Sequence, residues 1–196
     1  MELQTVVFYG KAGAGKGTQA QLLKKFLELK DPEHPVLYVE TGAVFREFSK
    51  GDNFTAKRVK QTLDEGGLLP EFLPVWVWTD FFIKHITGNE HIILDGLARR
   101  KDEVPVLFRA LEFYRRPRIQ VILLNIANEE AITRLKGRAR YDDTEEKVRE
   151  RFSWFEKNVL PAIETWRGLP HVFVHAVDAA GSPEEEHERV LETLQL

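Results

Sequence analysis

Residues Phe8–Ala20 read FYGKAGAGKGTQA. Four glycines fall in the eight positions from Gly10 to Gly17, around Lys11 and Lys16. Before them, TVVFYG (Thr5–Gly10) is a β-branched and aromatic run that predicts a buried strand. After them, GTQAQLLKKFLELK carries Leu22, Leu23, Phe26, Leu27 and Leu29 at helical spacing. In that context Gly10-x-x-x-x-Gly15-Lys16-Gly17-Thr18 is close to the phosphate-binding pattern G-x-x-x-x-G-K-[ST]. Either Gly17 separates the lysine from Thr18, or Gly17 holds the Ser/Thr place and Thr18 follows it. Glycines let successive N–H groups point at one anion where side chains would block the approach. The helix start adds the positive end of its dipole. Gly13, Ala14, Gly15, Lys16, Gly17 and Thr18 are therefore expected around the phosphates of a nucleoside triphosphate. Lys16 would reach the β- and γ-phosphates, and the Thr18 hydroxyl a phosphate or the shell of a Mg²⁺ ion.

The alternation continues outward. VLYVE (Val36–Glu40), HIILD (His91–Asp95), IQVILLNI (Ile119–Ile126) and HVFVHAV (His171–Val177) predict four more strands separated by helical stretches. Near-continuous apolar strands between helices indicate a parallel sheet covered on both faces. The expected fold is α/β, a P-loop three-layer α/β/α arrangement on a five-stranded parallel sheet. No repeat or linker divides residues 1–196, so one domain is expected. Residues 41–70 and 138–143 (RARYDD) fit the alternation less well and are candidate substrate-facing insertions. PEEEHERVLETL, with Pro183 and Glu184–Glu186 in its first turn, predicts a solvated terminal helix.

Composition narrows the class. The 196 residues are 43% hydrophobic and 30% charged, which suits a domain with a substantial core. A formal net charge of -3 offers no basic field to nucleic acid. The absence of cysteine removes disulfides, thiol catalysis and cysteine-ligated zinc. The six histidines show no metal-ligand spacing and receive no role, so no zinc is expected. MELQTVVFYGK lacks a basic leader region, and no apolar run approaches the ~20 residues that span a bilayer. A cytoplasmic protein without membrane contact is the expectation. The rings of FLPVWVWTDFF and RFSWFEKNVLPAIETW have helical spacing and are expected in the core.

GKGTQ resembles the adenylate kinase family of nucleoside monophosphate kinases, whose loop reads GxPGxGKGTQ; here Ala12 stands at the proline. The resemblance recurs in order along almost the whole chain. ETGAVFREF (Glu40–Phe48) resembles STGDLLR, which implies Thr41 and Arg46 at the monophosphate. EGGLLP (Glu65–Pro70) resembles KGxLVP, which implies that Gly67, Leu68 and Leu69 line the acceptor base. LDGLARR (Leu94–Arg100) resembles LDGFPR and implicates Asp95, Gly96 and Arg99. RLKGRAR with YDDTEEKVRERF resembles the helix–lid–helix segment and implicates Arg134, Arg138, Arg140 and Arg151. DAAGSPEE places Gly181 near the donor base.

The resemblance implies reversible, Mg²⁺-dependent transfer of the ATP γ-phosphoryl group to AMP, giving two ADP. Such transfer asks for placement and charge neutralisation, and guanidinium groups grip phosphate oxygens through two donors at once. Lys16 would hold the donor phosphates, and Arg46 and Arg99 the acceptor phosphate. Arg138, Arg140 and Arg151 would converge on the moving group, and Arg134 would pack on the donor base. Asp95 would orient water on Mg²⁺. Kinase activity on GMP, CMP or UMP, or nucleotide binding without turnover, are the alternatives, in a monomer or small homo-oligomer.

Three departures bear on this. Leu97-Ala98 replaces Phe-Pro, which removes an inexpensive route to a cis peptide and lets Arg100 compete with Arg99. Glu103 stands where the family carries a glutamine that donates to adenine N1 and accepts from the amino group. An ionised carboxylate only accepts, which suits guanine better; equally, Asp102 and Glu103 could simply charge the first turn of a helix before Pro105. Finally, Arg138 and Arg140 flank only Ala139, a minimal lid over a site that must exclude water. More futile ATP hydrolysis, or an oligomer covering the site, is expected.

Overall fold

Val6 through Tyr9 are all buried, yet they face two ways. Val7 and Tyr9 enter one apolar layer, Val6 and Phe8 the other, as alternation along a strand demands. This strand, β1 (Thr5–Gly10), is the centre of a five-stranded sheet. The computed structural model describes residues 1–65, 67, 69–138 and 144–196, and only the backbone of Arg138 and Glu145.

The other strands are β2 (Val36–Glu40), β3 (His91–Asp95), β4 (Ile119–Asn125) and β5 (Val172–Asp178). Their order is β2-β3-β1-β4-β5 and every pairing is parallel. The register sets Asp95 beside both Phe8 and Glu40, and Gly10 beside Leu124. The carboxyl ends of β1, β2 and β3 therefore meet at one edge, where ligands of open α/β sheets bind.

Helices cover both faces, as the apolar strands require. On one face Trp78 and Phe82 of α4 (Phe72–His85), Leu107 and Leu111 of α5 (Val104–Phe113) and Trp166 of α8 (Leu160–Arg167) pack against Val7, Tyr9, Ile92 and Leu94. On the other, Leu23 and Leu27 of α1 (Lys16–Lys30), Leu135 of α6 (Asn128–Arg138), Val148 of α7 (Glu145–Trp154) and Val190 of α9 (Pro183–Leu194) pack against Val6, Phe8 and Ile122. Residues 41–70 carry α2 (Thr41–Phe48) and α3 (Phe54–Asp64), which with α4 close a small core of Phe45, Val59, Leu69, Leu73 and Val77. The terminal helix α9 starts at Ser182 with a reciprocal cap: the Ser182 hydroxyl accepts from Glu185 N–H and the Glu185 carboxylate from Ser182 N–H. Among the described residues no helix is long and apolar enough to cross a membrane.

Between α7 and α8 one π-helical turn runs Phe155–Val159, closed by Leu160 N–H on the Phe155 carbonyl. Pro161 has no N–H to offer the Lys157 carbonyl, so the regular ladder cannot run straight through. The wider turn resets the faces that follow it. Trp154, just before that turn, and Phe155, its first residue, border the site, whereas Trp166, beyond it, is buried in the core. This corrects the expectation that all these rings are core. In the other aromatic run Phe72 and Trp76 lie 67% and 52% exposed, again contrary to that expectation.

The start of β3 is fixed to the chain beyond α5 by a buried ion pair. Arg116 donates to the Glu90 carbonyl at 2.8 Å and to its carboxylate, while Glu90 also accepts from the Thr87 hydroxyl at 2.6 Å. Arg116→Met strands that carboxylate in the core. It is expected to cost about 3–5 kcal/mol in urea unfolding, with much of the loss recovered in Arg116→Met/Glu90→Gln. A loss below about 1 kcal/mol would contradict this role for the pair.

Candidate active site

A cavity of about 970 Å³ opens where the carboxyl ends of β1, β2 and β3 meet. Its floor is the loop between β1 and α1. Gly13 and Gly15 have φ of 86° and 85°, left-handed values that suit glycine. A Cβ at Gly13 would lie 2.6 Å from the Ala131 carbonyl oxygen, so α6 itself forbids a side chain there. Ala14 is fully buried and anchors the loop in the α1-side core, while Gly13, Gly15, Lys16, Gly17 and Thr18 line the cavity. The Lys16 ammonium donates to the carbonyls of Gly10 at 2.8 Å and Lys11 at 3.1 Å, which holds the charge across the curl.

Asp95 ends β3 and is 6% exposed. Its Oδ2 accepts from the Tyr38 hydroxyl at 3.2 Å and lies 3.4 Å from where a Gly17 Cβ would stand. Burial pushes its pKa up, against the opposing pull of Lys16 and Arg99.

The turn after β3 places Arg99. Its Nε donates to the Gly96 carbonyl at 2.6 Å, and a Cβ at Gly96 would collide with the guanidinium at 2.7 Å, so Gly96 makes room for it. Among the described residues no peptide bond is cis. Arg99 lines the cavity; Arg100 instead pairs with Glu71 at 3.2 Å and stacks over Trp154 at 5.3 Å. The Glu103 carboxylate accepts from Arg99 N–H at 3.0 Å and also faces the cavity. Burial pushes the Glu103 carboxyl up to about 7, despite that N–H and the neighbouring guanidinium groups.

Thr41, Arg46, Gly67 and Leu69 line the same space, with Arg46 held to Glu40 at 3.1 Å. Arg134, Arg151 and Gly181 line it too. Arg134 Nη2 donates to the Glu130 carboxylate at 2.8 Å and to the carbonyls of Ala179 at 2.7 Å and Gly181 at 3.0 Å, so it braces the Gly181 loop. Leu68, Arg140 and the rest of the 139–143 segment lie outside the described residues, and Arg138 is described only as the end of α6.

Sequence reasoning missed several lining residues. Lys11 was an unassigned position inside the glycine pattern, and Lys147 sits in the first turn of α7. Glu186 of α9 faces Gly15, and burial pushes its carboxyl up to about 7. Nothing in a local pattern reveals that a terminal helix returns to the first loop.

The structure also gathers Asp31, His34 and His91 with ligand atoms within 4.8 Å of one another, a grouping their spacing concealed. His91 Nδ1 accepts from Gln4 N–H at 2.9 Å. The ring proton of neutral His91 therefore sits on Nε2, facing Asp31 Oδ2 at 3.3 Å, and that nitrogen has no lone pair for a metal. His34 Nδ1 meets Asp31 at 2.9 Å. The trio is a brace between the end of α1 and the start of β3.

The sequence matches the family model described as adenylate kinase over residues 8–169. It is 31% identical to the adenylate kinase of Mycobacterium sp. (strain MCS), over 96% of this chain and 98% of that protein. It is also 31% identical to the adenylate kinase of Mycolicibacterium smegmatis, over the same shares. With the adenylate kinase of Leptospira biflexa it shares 26% identity over 98% of this chain and 100% of the relative. A glycine loop, a strand-end carboxylate and arginines from distant segments meet in one cavity of a chain that matches this family's model over residues 8–169 and its relatives over nearly its whole length. The chain belongs to the adenylate kinase family and is a nucleoside monophosphate kinase.

Proposed function

We propose that the chain transfers the γ-phosphoryl group of Mg²⁺-bound ATP to AMP, reversibly, giving two ADP, and that it works in the cytoplasm. The observation that carries this reading is the convergence of Lys16, Asp95 and Arg99 on one cavity at the sheet's carboxyl edge. Residues 41–70 are read as the acceptor segment, residues 138–143 as a minimal lid, and 1–196 as one domain. An oxygen of the AMP phosphate attacks the γ-phosphorus as the bond to the β,γ-bridging oxygen breaks. The loop N–H groups and Lys16 hold the donor phosphates. Arg46 and Arg99 fix the attacking phosphate in line, and Arg151, with Arg138 and Arg140, meets charge on the equatorial oxygens. Arg134 keeps the Gly181 loop in place at the donor base.

The Mg²⁺ assignment rests on Asp95 and Thr18. A buried carboxylate whose pKa is pushed up by burial gains from a nearby cation, and Thr18, in the first turn of α1, lines the same cavity. Bound there, Mg²⁺ neutralises β- and γ-phosphate charge.

The acceptor base follows from Glu103. With its carboxyl raised to about 7, Glu103 carries a proton below that pH and is half protonated at it. A protonated carboxyl offers one donor and one acceptor, the same pair a glutamine amide would present to adenine N1 and its amino group. The Glu103 pKa in the folded chain lies above its ordinary 4.5, so the stability it contributes is fully present below about 4.5 and is lost as pH rises toward 7. The same titration acts on AMP. The KM for AMP is expected to rise roughly fivefold to tenfold between about pH 6 and 8, the size of one hydrogen bond, and Glu103→Gln should flatten that rise. In an acceptor panel AMP should lead GMP, CMP and UMP; a GMP preference would overturn the base assignment and leave the kinase intact. Lys16→Ala should lower turnover by ~1000-fold with an unchanged circular dichroism spectrum. A variant that still turns over ATP and AMP at the parent rate would refute the loop assignment. With so short a lid, ATP hydrolysis without acceptor should exceed that of a long-lid relative unless an oligomer covers the site.

A further inference from the structure

The Ala98–Arg99 peptide is held from both ends. Its carbonyl accepts from the Tyr9 hydroxyl at 2.8 Å, and its N–H donates to the Glu103 carboxylate at 3.0 Å. Tyr9 in turn accepts from the Trp166 indole N–H at 2.9 Å. Indole nitrogen can only donate, so the hydroxyl must receive there and direct its own proton at Ala98. Tyr9, Ala98 and Trp166 are each no more than 1% exposed, and burial keeps the phenol protonated. The bond matters because Ala98 has a φ of 50°, left-handed for a residue with a Cβ and strained unless its surroundings hold it. Rotation of this peptide would release both bonds and turn the Arg99 side chain off the Gly96 carbonyl.

We propose that the Tyr9 hydroxyl, oriented by Trp166, is a positioning residue for phosphoryl transfer: it locks the left-handed Ala98 turn and thereby aims Arg99 into the cavity. The role rests on reading Arg99 as the clamp for the acceptor phosphate. It links Tyr9, the residue of β1 just before Gly10, to the acceptor side of the site, so one buried hydroxyl sets the relation between the two substrates. It also accounts for how the turn tolerates alanine.

The test compares Tyr9→Phe, Phe82→Leu and Arg99→Ala by steady-state kinetics in both substrates and by thermal unfolding. Phe82 lies in the same apolar cluster with its ring against Trp78 and Tyr114, and serves as the control for lost stability. Tyr9→Phe is expected to raise the KM for AMP roughly fivefold to tenfold, with the KM for ATP within about twofold of the parent. Phe82→Leu should lower Tm with AMP KM unchanged. Glycine adopts φ of 50° without strain, so Tyr9→Phe/Ala98→Gly should return the AMP KM to within about threefold of the parent. Should Tyr9→Phe alone not fold, the double variant set against Ala98→Gly carries the comparison. Arg99→Ala should lower kcat/KM for AMP by ~100-fold. If it does not, the clamp assignment fails. If it does, while Tyr9→Phe lowers Tm and leaves AMP KM unmoved, the positioning role alone is overturned.

Discussion

A polyphosphate concentrates several negative charges in a few ångströms, and a protein can hold it only where donors are already aimed and need no reorganisation. The turn between β1 and α1 meets that demand with main-chain N–H groups. It does so because glycines accept left-handed backbone and because α6 leaves no space for a Cβ at Gly13. The rest of the architecture serves to keep this turn where it is. Ala14 pins it from below, the Lys16 ammonium ties its carbonyls together, and the register of β1 against β3 delivers Asp95 and Arg99 alongside.

Electrostatic balance is the second theme. Asp95 is a buried acid between Lys16 and Arg99, so the site carries opposed charges whose mutual support depends on exclusion of water. Two further buried carboxyls, Glu103 and Glu186, line the cavity with pKa values pushed up to about 7. One belongs to the turn that carries Arg99, the other faces the first glycine loop. Carboxyls that hold their protons near neutrality limit the negative charge that anionic substrates must approach, and they keep donors available where ionised groups would only accept.

Much of the fold was legible in the chain. Five strands, their parallel arrangement and the helix after the glycine loop all follow from apolar runs alternating with helical stretches, although the edge strand β5 leaves Phe173 44% exposed. The local phosphate chemistry was equally open, since a lysine inside a glycine-rich strand–helix turn has few other uses. What the chain concealed was non-local. Trp154 and Phe155 share helical spacing with the core rings Phe152 and Trp166, yet they border the cavity at the start of the π-helical turn. Glu186 lies far from the glycine loop in sequence and meets it only because α9 packs across α1. The choice between Arg99 and Arg100 depended on Glu71 and Trp154, partners no motif names. The Asp31, His34 and His91 brace joins a helix end to a strand start by the same kind of long-range closure.

In the proposed mechanism main-chain donors and Lys16 hold one set of phosphates while Arg99 faces the other across a shared cavity. A crystal structure with a two-substrate mimic, two adenosines joined by a polyphosphate, tests it most directly. The Lys16 ammonium and the Arg99 guanidinium are each expected at about 3 Å from phosphate oxygens, with the polyphosphate running between them past Asp95. A complex in which the mimic is bound with either cation turned away from its phosphates would contradict it.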